Sequence, residues 1–263
     1  MKRFWILHLD LKATESIKPV DRLRQLMATP LSELTALSLW PGLEGSEVRG
    51  QMPAMPEHDE PVWLILDPEN EAGLKAQLAK ILDRFGHVVP DSVLDSVSID
   101  DNSGPVCIDD RAIIGECVRI EGPCYIGPGA EVRHGAYVRP NSWLCEGAVL
   151  GHASECKHSL LLPGAKAPHF NYVGDSVLGR GVNLGAGCKL SNLRNDERSV
   201  LVRGLTGGEI DSGLRKFGAI LGDGVAIGCN GVTNPGVILG VGSNVWPNVT
   251  VSGVHPADST LRE

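Results

Sequence analysis

The sequence has no run of apolar residues long enough to cross a lipid bilayer. Its start is basic and then apolar, but His8 and Asp10 interrupt the apolar stretch, which is too short for a secretory signal. The seven cysteines include no Cys-x-x-Cys pair, and an odd number cannot all form disulfides. We therefore expect buried, reduced thiols in a cytoplasmic protein that has no membrane partner.

The sequence also lacks an excess of basic residues. Its 24 Lys and Arg are outnumbered by 32 Asp and Glu, which gives a formal net charge of -8. A general nucleic-acid surface needs a basic stripe that neutralises phosphates, so nucleic acid is not an expected partner. Local basic pockets are still compatible with this composition.

An aliphatic side chain returns at every sixth position over a long central stretch. The series is Ile108, Ile114, Ile120, Ile126, Val132, Val138, Leu144, Leu150, Cys156 and Leu162, with Cys156 as its one thiol. A fixed six-residue period indicates a parallel β-helix, in which three hexapeptides form one coil and each aliphatic residue points inward. One coil cannot bury its apolar face alone, so the coils are expected to stack.

This period sets the predicted domain organisation. The β-helix is expected over residues 88–251, and residues 252–263 are predicted to be a polar tail. The period breaks at residues 164–172 and again at residues 192–218, a charged excursion without the repeat. Long excursions in compact domains are usually functional or disordered.

Residues 1–87 are predicted to form a small α/β unit. Apolar runs at residues 4–9 and 62–66 are typical of buried strands. The second run is followed by a helical pattern whose apolar face contains Leu74, Leu78, Ile81, Leu82 and Phe85. No Gly-rich phosphate-binding loop occurs in this unit.

Two cations and one histidine are candidates for chemistry. Arg139 and Lys157 lie one 18-residue coil apart, so they are expected to stack on one face and hold an anion such as phosphate; a solvated basic edge is the alternative. His169 lies in the first break and suits proton transfer near neutral pH, although it could also be a solvated loop residue. Glu155 shares the coil of Lys157 and could orient His169 or pair with Lys157.

Metal binding is the competing chemistry. Four histidines fall on the predicted coils, and the first two are one coil apart: His134, His152, His158 and His169. Zinc held between subunits by three histidines, as in gamma-class carbonic anhydrases, would give a metal-dependent hydratase. The sequence shows no matching ligand set with supporting acids, so no metal site is predicted.

Several separated motifs resemble, in one order, the acetyltransferase domain of the bifunctional glucosamine-1-phosphate acetyltransferase/N-acetylglucosamine-1-phosphate uridyltransferases. They are Arg139-Pro140, Lys157, Gly164-Ala-Lys166, His169, Tyr172-Val-Gly-Asp175, Gly181-Val-Asn183-Leu-Gly-Ala-Gly187 and Asn192. The segments HFNYVGDS, NLGAG, SNLRND and GLRKFGAILGD are closer still to the archaeal and related bacterial sugar-1-phosphate nucleotidylyltransferase/acetyltransferases. The resemblance covers roughly residues 88–251.

This resemblance implies a mainly β protein with a left-handed coil, assembled as a homotrimer with active sites between subunits. It implies acetyl-CoA as cosubstrate and an amino-sugar phosphate, glucosamine 1-phosphate or galactosamine 1-phosphate, as substrate in nucleotide-sugar biosynthesis. His169 would be the general base, Glu155 would orient it, and the backbone N–H of Ala186 would stabilise the oxyanion.

The resemblance also implies the binding residues. Arg139 and Lys157 would hold the sugar phosphate, and Tyr172 and Asn183 would position the sugar. The residues near acetyl-CoA would be Ala186, Asn192, Lys216 and Cys229.

The sequence departs from this family in residues 1–87 and near the expected CoA site. Members begin with a nucleotidyltransferase domain that carries an LxxGxGxR-like loop, and residues 1–87 have no such loop, so nucleotidyl transfer is expected to be absent. Cys229 and Pro247 stand where the bacterial enzymes have Ser and Ala, and Leu193 replaces an aromatic residue. A non-catalytic sugar-nucleotide-binding or scaffolding trimer is therefore the alternative.

Residues 1–87 would cap the open end of the solenoid or recruit a separate nucleotidyltransferase.

Overall fold

The computed structural model describes residues 35–43, 52–57, 59–93, 95–204 and 208–263. Within these ranges the helices are α1 (Ala36–Leu39) and α2 (Leu74–Phe85), with 3-10 turns at Pro41–Leu43, Val62–Leu66 and Asp91–Val93. The predicted strand at residues 4–9 lies outside the described residues. The predicted helix is confirmed as α2, whereas the predicted strand at residues 62–66 is wrong, because this run folds into a 3-10 turn. None of the described helices has the length and apolar character of a membrane span.

Short strands follow one another from residue 98 to residue 261. They are β1 (Ser98–Asp100), β2 (Val106–Ile108), β3 (Ile113–Ile114), β4 (Arg119–Glu121), β5 (Cys124–Ile126), β6 (Glu131–Val132), β7 (Tyr137–Val138), β8 (Ser142–Leu144), β9 (Val149–His152), β10 (Glu155–Lys157), β11 (Leu160–Leu161), β12 (Lys166–His169), β13 (Tyr172–Gly174), β14 (Val177–Leu178), β15 (Asn183–Leu184), β16 (Lys189–Leu190), β17 (Leu201–Arg203), β18 (Glu209–Asp211), β19 (Ala219–Leu221), β20 (Ala226–Ile227), β21 (Val232–Thr233), β22 (Val237–Leu239), β23 (Asn244–Val245), β24 (Thr250–Val251), β25 (Val254–His255) and β26 (Thr260–Leu261).

These strands form three parallel sheets of eight strands each. Sheet 1 has the order β1-β4-β7-β10-β13-β16-β21-β24, sheet 2 the order β2-β5-β8-β11-β14-β19-β22-β25, and sheet 3 the order β3-β6-β9-β12-β15-β20-β23-β26. Every third strand returns to the same sheet, so each coil contributes one strand to each face. The predicted fold class, a mainly β, left-handed parallel β-helix, is confirmed.

The inward aliphatic column fills the coil as predicted, with one exception. Leu144 pairs with Leu161, 17 residues further on, so Leu161 points inward. Leu162 packs in a different cluster outside the coil, and its prediction as an inward residue is wrong. The turn from Cys156 to Leu161 takes five residues instead of six, which a strict period cannot anticipate.

The same slip relocates the irregularity that the sequence placed at residues 164–172. Ala167 pairs with Leu150, and Val173 pairs with Cys156, so the inward column continues through that stretch. The shortened turn is the corner between sheet 1 and sheet 2, and it is short again between Val173 and Leu178. His169 therefore stands at a regular corner rather than in a break.

The outer face of sheet 2 is apolar, and it forms one wall of a second hydrophobic core. Each of its eight strands contributes an outward residue to this core: Cys107, Tyr125, Trp143, Leu160, Val177, Ile220, Ile238 and Val254. The residues that cover this face come from α1, α2 and the turn between them: Trp40, Val62, Trp63, Ile65, Leu66, Leu74, Leu78, Ile81 and Leu82. The described part of the segment before the coil, residues 35–43, 52–57 and 59–85, is thus docked on a face of the solenoid.

Hydrogen bonds fix the first part of this segment to a corner of the coil. The indole Nε1 of Trp40 donates to the Leu221 carbonyl at 3.1 Å. The Asp223 carboxylate accepts from the backbone N–H groups of Gly42 at 3.1 Å and Arg180 at 2.7 Å, and the Arg180 guanidinium donates to the Gly42 carbonyl. Specific polar contacts therefore set where the apolar cover lies.

The excursion at residues 192–218 completes the second core from the other side. Its strands β17 and β18 form an antiparallel hairpin. Val200, Val202, Leu214 and Phe217 are buried with the sheet 2 residues, and the Phe217 ring stacks on Trp63 with 6.4 Å between ring centroids. The excursion at residues 192–218 therefore stabilises the second core, in addition to any part that it has in ligand binding.

The chain beyond Val251 also differs from its prediction as a polar tail. Strand β25 pairs with β22, and β26 pairs with β23 in parallel register. Residues 254–261 are thus the last rung of the β-helix, because their backbone groups continue the ladders of sheets 2 and 3.

Candidate active site

Lys157 and Lys216 form the centre of a polar network at the corner between sheets 1 and 2. Lys157 Nζ lies 3.5 Å from Asp175 Oδ2, and the Asn192 side-chain amide donates to the same carboxylate oxygen. The nearby charge of Lys157 lowers the pKa of Lys216. Asp175 is the only carboxylate that this network places between the two ammonium groups, so the described residues leave net positive charge there.

Tyr172 reaches this network across a glycine. A Cβ on Gly174 would lie 2.6 Å from the Tyr172 hydroxyl and 2.8 Å from the Asn192 amide nitrogen, so the absence of a side chain makes room for both groups. Burial raises the pKa of Tyr172, and a hydrogen bond to Asn192 opposes this rise. The phenol thus remains a neutral hydrogen-bonding group next to the cations.

Arg139 lies one coil from Lys157, as the spacing predicted, but the two cations have separate partners. The register of β7 and β10 pairs Val138 with Cys156, which places Arg139 next to Lys157. Arg139 Nη1 donates to Glu155 Oε1 at 2.8 Å. Glu155 is therefore bound by Arg139 and not by Lys157 or His169, and an anion held by Arg139 would compete with this carboxylate.

A cavity of about 290 Å³ opens beside Lys157 and Lys216. Its lining residues are Leu66, Pro68, Asn141, Lys157, His158, Asp175, Leu214, Arg215 and Lys216. The His158 ring is buried, and its Nε2 donates to the Leu66 carbonyl at 3.1 Å. Three parts of the chain thus meet at this cavity: the N-terminal segment, the coil and the excursion.

His169 is exposed at the other edge of sheet 1, at the corner that leads from sheet 3. It pairs with His152 in the previous coil, and the rings of His152 and His134 stack with 5.5 Å between centroids. Among the described residues the His169 ring has no hydrogen-bond partner, so its nitrogens are free to act on a ligand. A Cβ on Gly151 would meet the Pro168 carbonyl oxygen at 1.7 Å, so only glycine lets the backbone before His169 pass this closely.

Ala186 and Cys229 continue the column that His169 occupies. The Gly187 N–H donates to the His169 carbonyl and the Asn230 N–H to the Ala186 carbonyl, which stacks the corners directly. In the described part of the chain no acceptor meets the Ala186 N–H. The same is true of Cys229 one coil further, whereas the His169 N–H donates to the Asn171 side chain at 2.9 Å, so Ala186 shares its free amide with Cys229 but not with His169.

Asn183 lies on sheet 3 and completes the set of predicted residues. It is exposed on β15, where it pairs with Lys166. The structure therefore separates the predicted site into two groups. Arg139, Glu155, Lys157, Tyr172, Asn192 and Lys216 lie along sheet 1 and its corner with sheet 2, whereas His169, Asn183, Ala186 and Cys229 lie on sheet 3 and its corner with sheet 1.

A family model described as GMPPB C-terminal domain matches residues 120–254, just over half of the chain. The chain belongs to the GMPPB C-terminal domain family. The matched residues contain both groups of candidate site residues.

Relatives of this family member have names that agree with the resemblance found in its motifs. It is 41% identical over 153 residues to a bifunctional sugar-1-phosphate nucleotidylyltransferase/acetyltransferase from Sulfurisphaera tokodaii, a match that covers 51% of this chain and 38% of the relative. It is 39% identical over 169 residues to the bifunctional protein GlmU from Methanococcus aeolicus, which covers 57% and 41%. The matches thus span less than half the length of these curated relatives. The motif-based resemblance is confirmed.

Solved structures that match this chain include PerB from Caulobacter crescentus in complex with CoA and GDP-perosamine. It is 15% identical with a TM-score of 0.25, and the match covers 72% of this chain and 63% of that chain. The polySia-specific acetyltransferase NeuO is 17% identical with a TM-score of 0.29, and the match covers 66% of this chain and 80% of that one.

Sequence reasoning assigned no role in the phosphate site to Asp175 or His158, although both line the Lys157–Lys216 cavity in this GMPPB C-terminal domain family member. With Asn141 they form one column at the corner of sheets 1 and 2. All three have a positive φ: 63° at Asn141, 43° at His158 and 46° at Asp175. Asn, Asp and His are the non-glycine residues that adopt this conformation most readily. The sequence signal for this column was an Asn, His or Asp two or three residues after the inward residue of the sheet 1 strands β7, β10 and β13.

No group of three or more His, Cys, Asp and Glu side chains is placed to bind a metal among the described residues. The histidine column offers stacked rings rather than converging nitrogens. The geometry therefore gives the metal-dependent hydratase no support.

The cysteines give a direct test of this fold. Cys117 and Cys229 are exposed, and the other five are buried. Burial raises the pKa of Cys156 to about 12 and those of Cys107 and Cys188 to about 11, so these groups remain unreactive thiols near neutral pH. We expect two of the seven thiols to react quickly with an aromatic disulfide reagent, and five only after unfolding. Fast reaction of more than two in the native protein would contradict this packing.

Proposed function

We propose that the protein is an acetyl-CoA-dependent N-acetyltransferase that acts on a hexosamine 1-phosphate, either glucosamine 1-phosphate or galactosamine 1-phosphate. The observation that carries the proposal is the pair of ammonium groups on Lys157 and Lys216, which line one cavity together with a single carboxylate, that of Asp175. Such a pair favours a phosphate ligand. The name of the relative from Sulfurisphaera tokodaii, which combines sugar-1-phosphate with acetyltransferase, supports the same substrate class.

The proposed reaction uses His169 as a general base. Its imidazole takes a proton from the sugar amine, and the nitrogen lone pair attacks the thioester carbon of acetyl-CoA. A C–N bond forms, the negative charge on the carbonyl oxygen is stabilised by the Ala186 N–H, and the C–S bond then breaks. The CoA thiolate leaves and is protonated, so that N-acetylated sugar phosphate and free CoA are the products.

The two groups of site residues support a proposal of trimers with sites between subunits. In a 2-amino sugar 1-phosphate the amine and the phosphate are on adjacent ring carbons, so the base and the cations must lie close together. Within one protomer His169 precedes β13, whereas Lys157 pairs with Gly174 at the far end of that strand. A neighbouring copy that brings its His169 corner to the Lys157 cavity would join the two halves.

The proposal places the protein in the cytoplasm and includes no nucleotidyl transfer. Five buried, unpaired thiols are typical of a reducing compartment. Residues 1–87 contain no Gly-rich phosphate-binding loop, so the proposal assigns no nucleotidyl transfer to this segment.

The test is thiol release from acetyl-CoA with glucosamine 1-phosphate and galactosamine 1-phosphate, each measured against a no-sugar control. Sugar-dependent release with one substrate preferred would establish the acetyltransferase and its epimer preference. Release that does not exceed the control with either sugar would contradict the proposal.

The second candidate is a non-catalytic trimer that binds a sugar nucleotide. It is favoured by the closed ion pair between Arg139 and Glu155, which leaves Arg139 less available to a substrate phosphate than the resemblance implies. Binding of a sugar nucleotide without any consumption of acetyl-CoA would support this candidate. Turnover that depends on His169 would exclude it.

A further inference from the structure

The N-terminal segment supplies one wall of the cavity that contains the two lysines. Leu66 ends the 3-10 turn that packs on sheet 2, and Pro68 follows it in a tight turn closed by the Asn70 N–H and the Asp67 carbonyl. Both residues line the same cavity as Lys157 and Lys216. The cavity therefore exists in this size only because the segment is docked.

His158 holds that wall in place. Its ring is 6% exposed, and its only described hydrogen bond is the one from Nε2 to the Leu66 carbonyl, which joins segments 92 residues apart. The charged groups around the ring are Asp175 and Lys157 on the coil and Lys75 at the start of α2. A neutral hydrogen-bonded imidazole between the wall and the cations positions Leu66 without adding a charge to the cavity.

The size and lining of the cavity define what it can take. Pockets for drug-sized ligands usually measure about 300–1,000 Å³, and this one is about 290 Å³. Its lining includes three cationic side chains, those of Lys157, Lys216 and Arg215, one carboxylate, that of Asp175, and the apolar residues Leu66, Pro68 and Leu214. This suits a terminal phosphate on a single sugar, because a nucleotide attached to that phosphate would have to pass through the Leu66–Pro68 wall.

We propose that residues 66–68, positioned by His158, form a selectivity wall that admits monosaccharide 1-phosphates to the Lys157–Lys216 cavity and excludes nucleotide-linked sugars. This inference rests on the proposed function, which it deepens by naming the residues that choose the substrate. His158 is a positioning residue in this scheme, and Pro68 contacts the ligand.

The experiment measures the affinities of glucosamine 1-phosphate and UDP-glucosamine by titration calorimetry, which needs no turnover. We expect the unsubstituted protein to bind the monosaccharide phosphate at least about tenfold more tightly than the nucleotide-linked sugar, which is about 1.4 kcal/mol. Pro68→Ala should reduce this ratio at least about threefold, because it shortens the wall at an exposed position. His158→Leu should reduce it further, and His158→Asn should restore it, since Asn keeps a donor and tolerates the positive φ.

Glu69→Ala is the matched control, because Glu69 is exposed beside Pro68 and its side chain lies outside the cavity lining. In this variant the ratio of the affinities for glucosamine 1-phosphate and UDP-glucosamine should equal that of the unchanged protein. The KM for acetyl-CoA should be the same in all variants. Equal affinity for the two ligands in the unchanged protein, or a ratio that Pro68→Ala and His158→Leu both leave intact, would overturn the inference. Selective binding without acetyl-CoA consumption would support the selectivity wall and contradict only the proposed function. Turnover of acetyl-CoA without selectivity between the two ligands would support the proposed function and contradict only the selectivity wall.

Discussion

Replacing His169 with alanine should lower the rate of acetyl transfer by about 10²–10⁴-fold, the usual contribution of a positioned acid or base. The imidazole is exposed and free of hydrogen bonds among the described residues, so its loss removes a proton acceptor and disturbs no packing. The measurement is the steady-state rate of CoA release at saturating glucosamine 1-phosphate or galactosamine 1-phosphate. KM for the sugar phosphate should change little, because the proposed phosphate ligands are Lys157 and Lys216 and not His169.

His134→Ala is the matched control for this substitution. His134 is also an exposed histidine in the same corner column, two coils earlier, and its ring contacts His152. It should keep nearly full activity. An equal loss in both variants would show that the column acts through structure rather than through proton transfer at His169.

Replacing Trp63 with alanine should lower the free energy of unfolding by about 3–5 kcal/mol, the range for a large aromatic residue removed from a core. Trp63 is 1% exposed, it stacks on Phe217, and it lies where the N-terminal segment, the excursion and sheet 2 meet. The cavity left by alanine would remove packing contacts with the N-terminal segment, the excursion and sheet 2 at the same time. Urea unfolding followed by circular dichroism would measure the loss.

Trp63→Phe should be far milder and cost at most about 1.5 kcal/mol. The indole Nε1 is buried with no hydrogen-bond partner among the described residues, so phenylalanine removes an unsatisfied donor while it keeps most of the ring. A phenylalanine variant as unstable as the alanine variant would show that the indole nitrogen has a partner or that the pocket tolerates only the larger ring.

The interior of the coil could be predicted from the sequence because a stacked column repeats one simple requirement. Of the ten predicted inward positions, the nine from Ile108 to Cys156 follow a strict period of six; eight of them are buried in the coil, and Ile114 is partly buried against it. The period failed at Leu162 because a corner can lose a residue without disturbing the strands on either side. Only the parallel register, which pairs Leu161 with Leu144, shows where the deletion lies.

The second core was visible in the sequence but was not recognised. Every third repeat has a large apolar residue directly before the inward one, as in Tyr125-Ile126, Trp143-Leu144 and Ile220-Leu221. Such doubled positions predict a strand that is buried on both faces. What covers them could not be predicted, because the contacts join residues nearly 200 positions apart.

The candidate site was predicted in part for a similar reason. Coil spacing correctly placed Arg139 beside Lys157, since that relation depends only on register. Spacing does not determine which carboxylate each cation meets, and these pairs, Arg139 with Glu155 and Lys157 with Asp175, depend on side-chain reach. The wall at Leu66 and Pro68 depends on the docked segment, which no repeat describes.

The hydrogen bond between Trp40 and the Leu221 carbonyl has a consequence for synthesis of the chain. A ribosome adds about 5–20 residues per second, so the 181 residues between these partners take roughly 10–40 s to appear. During that time the coils can stack one after another, whereas Trp40, Trp63 and their apolar neighbours have no completed face to cover. The segment made early therefore docks late, and the nascent protein carries exposed tryptophans until most of its solenoid has left the ribosome.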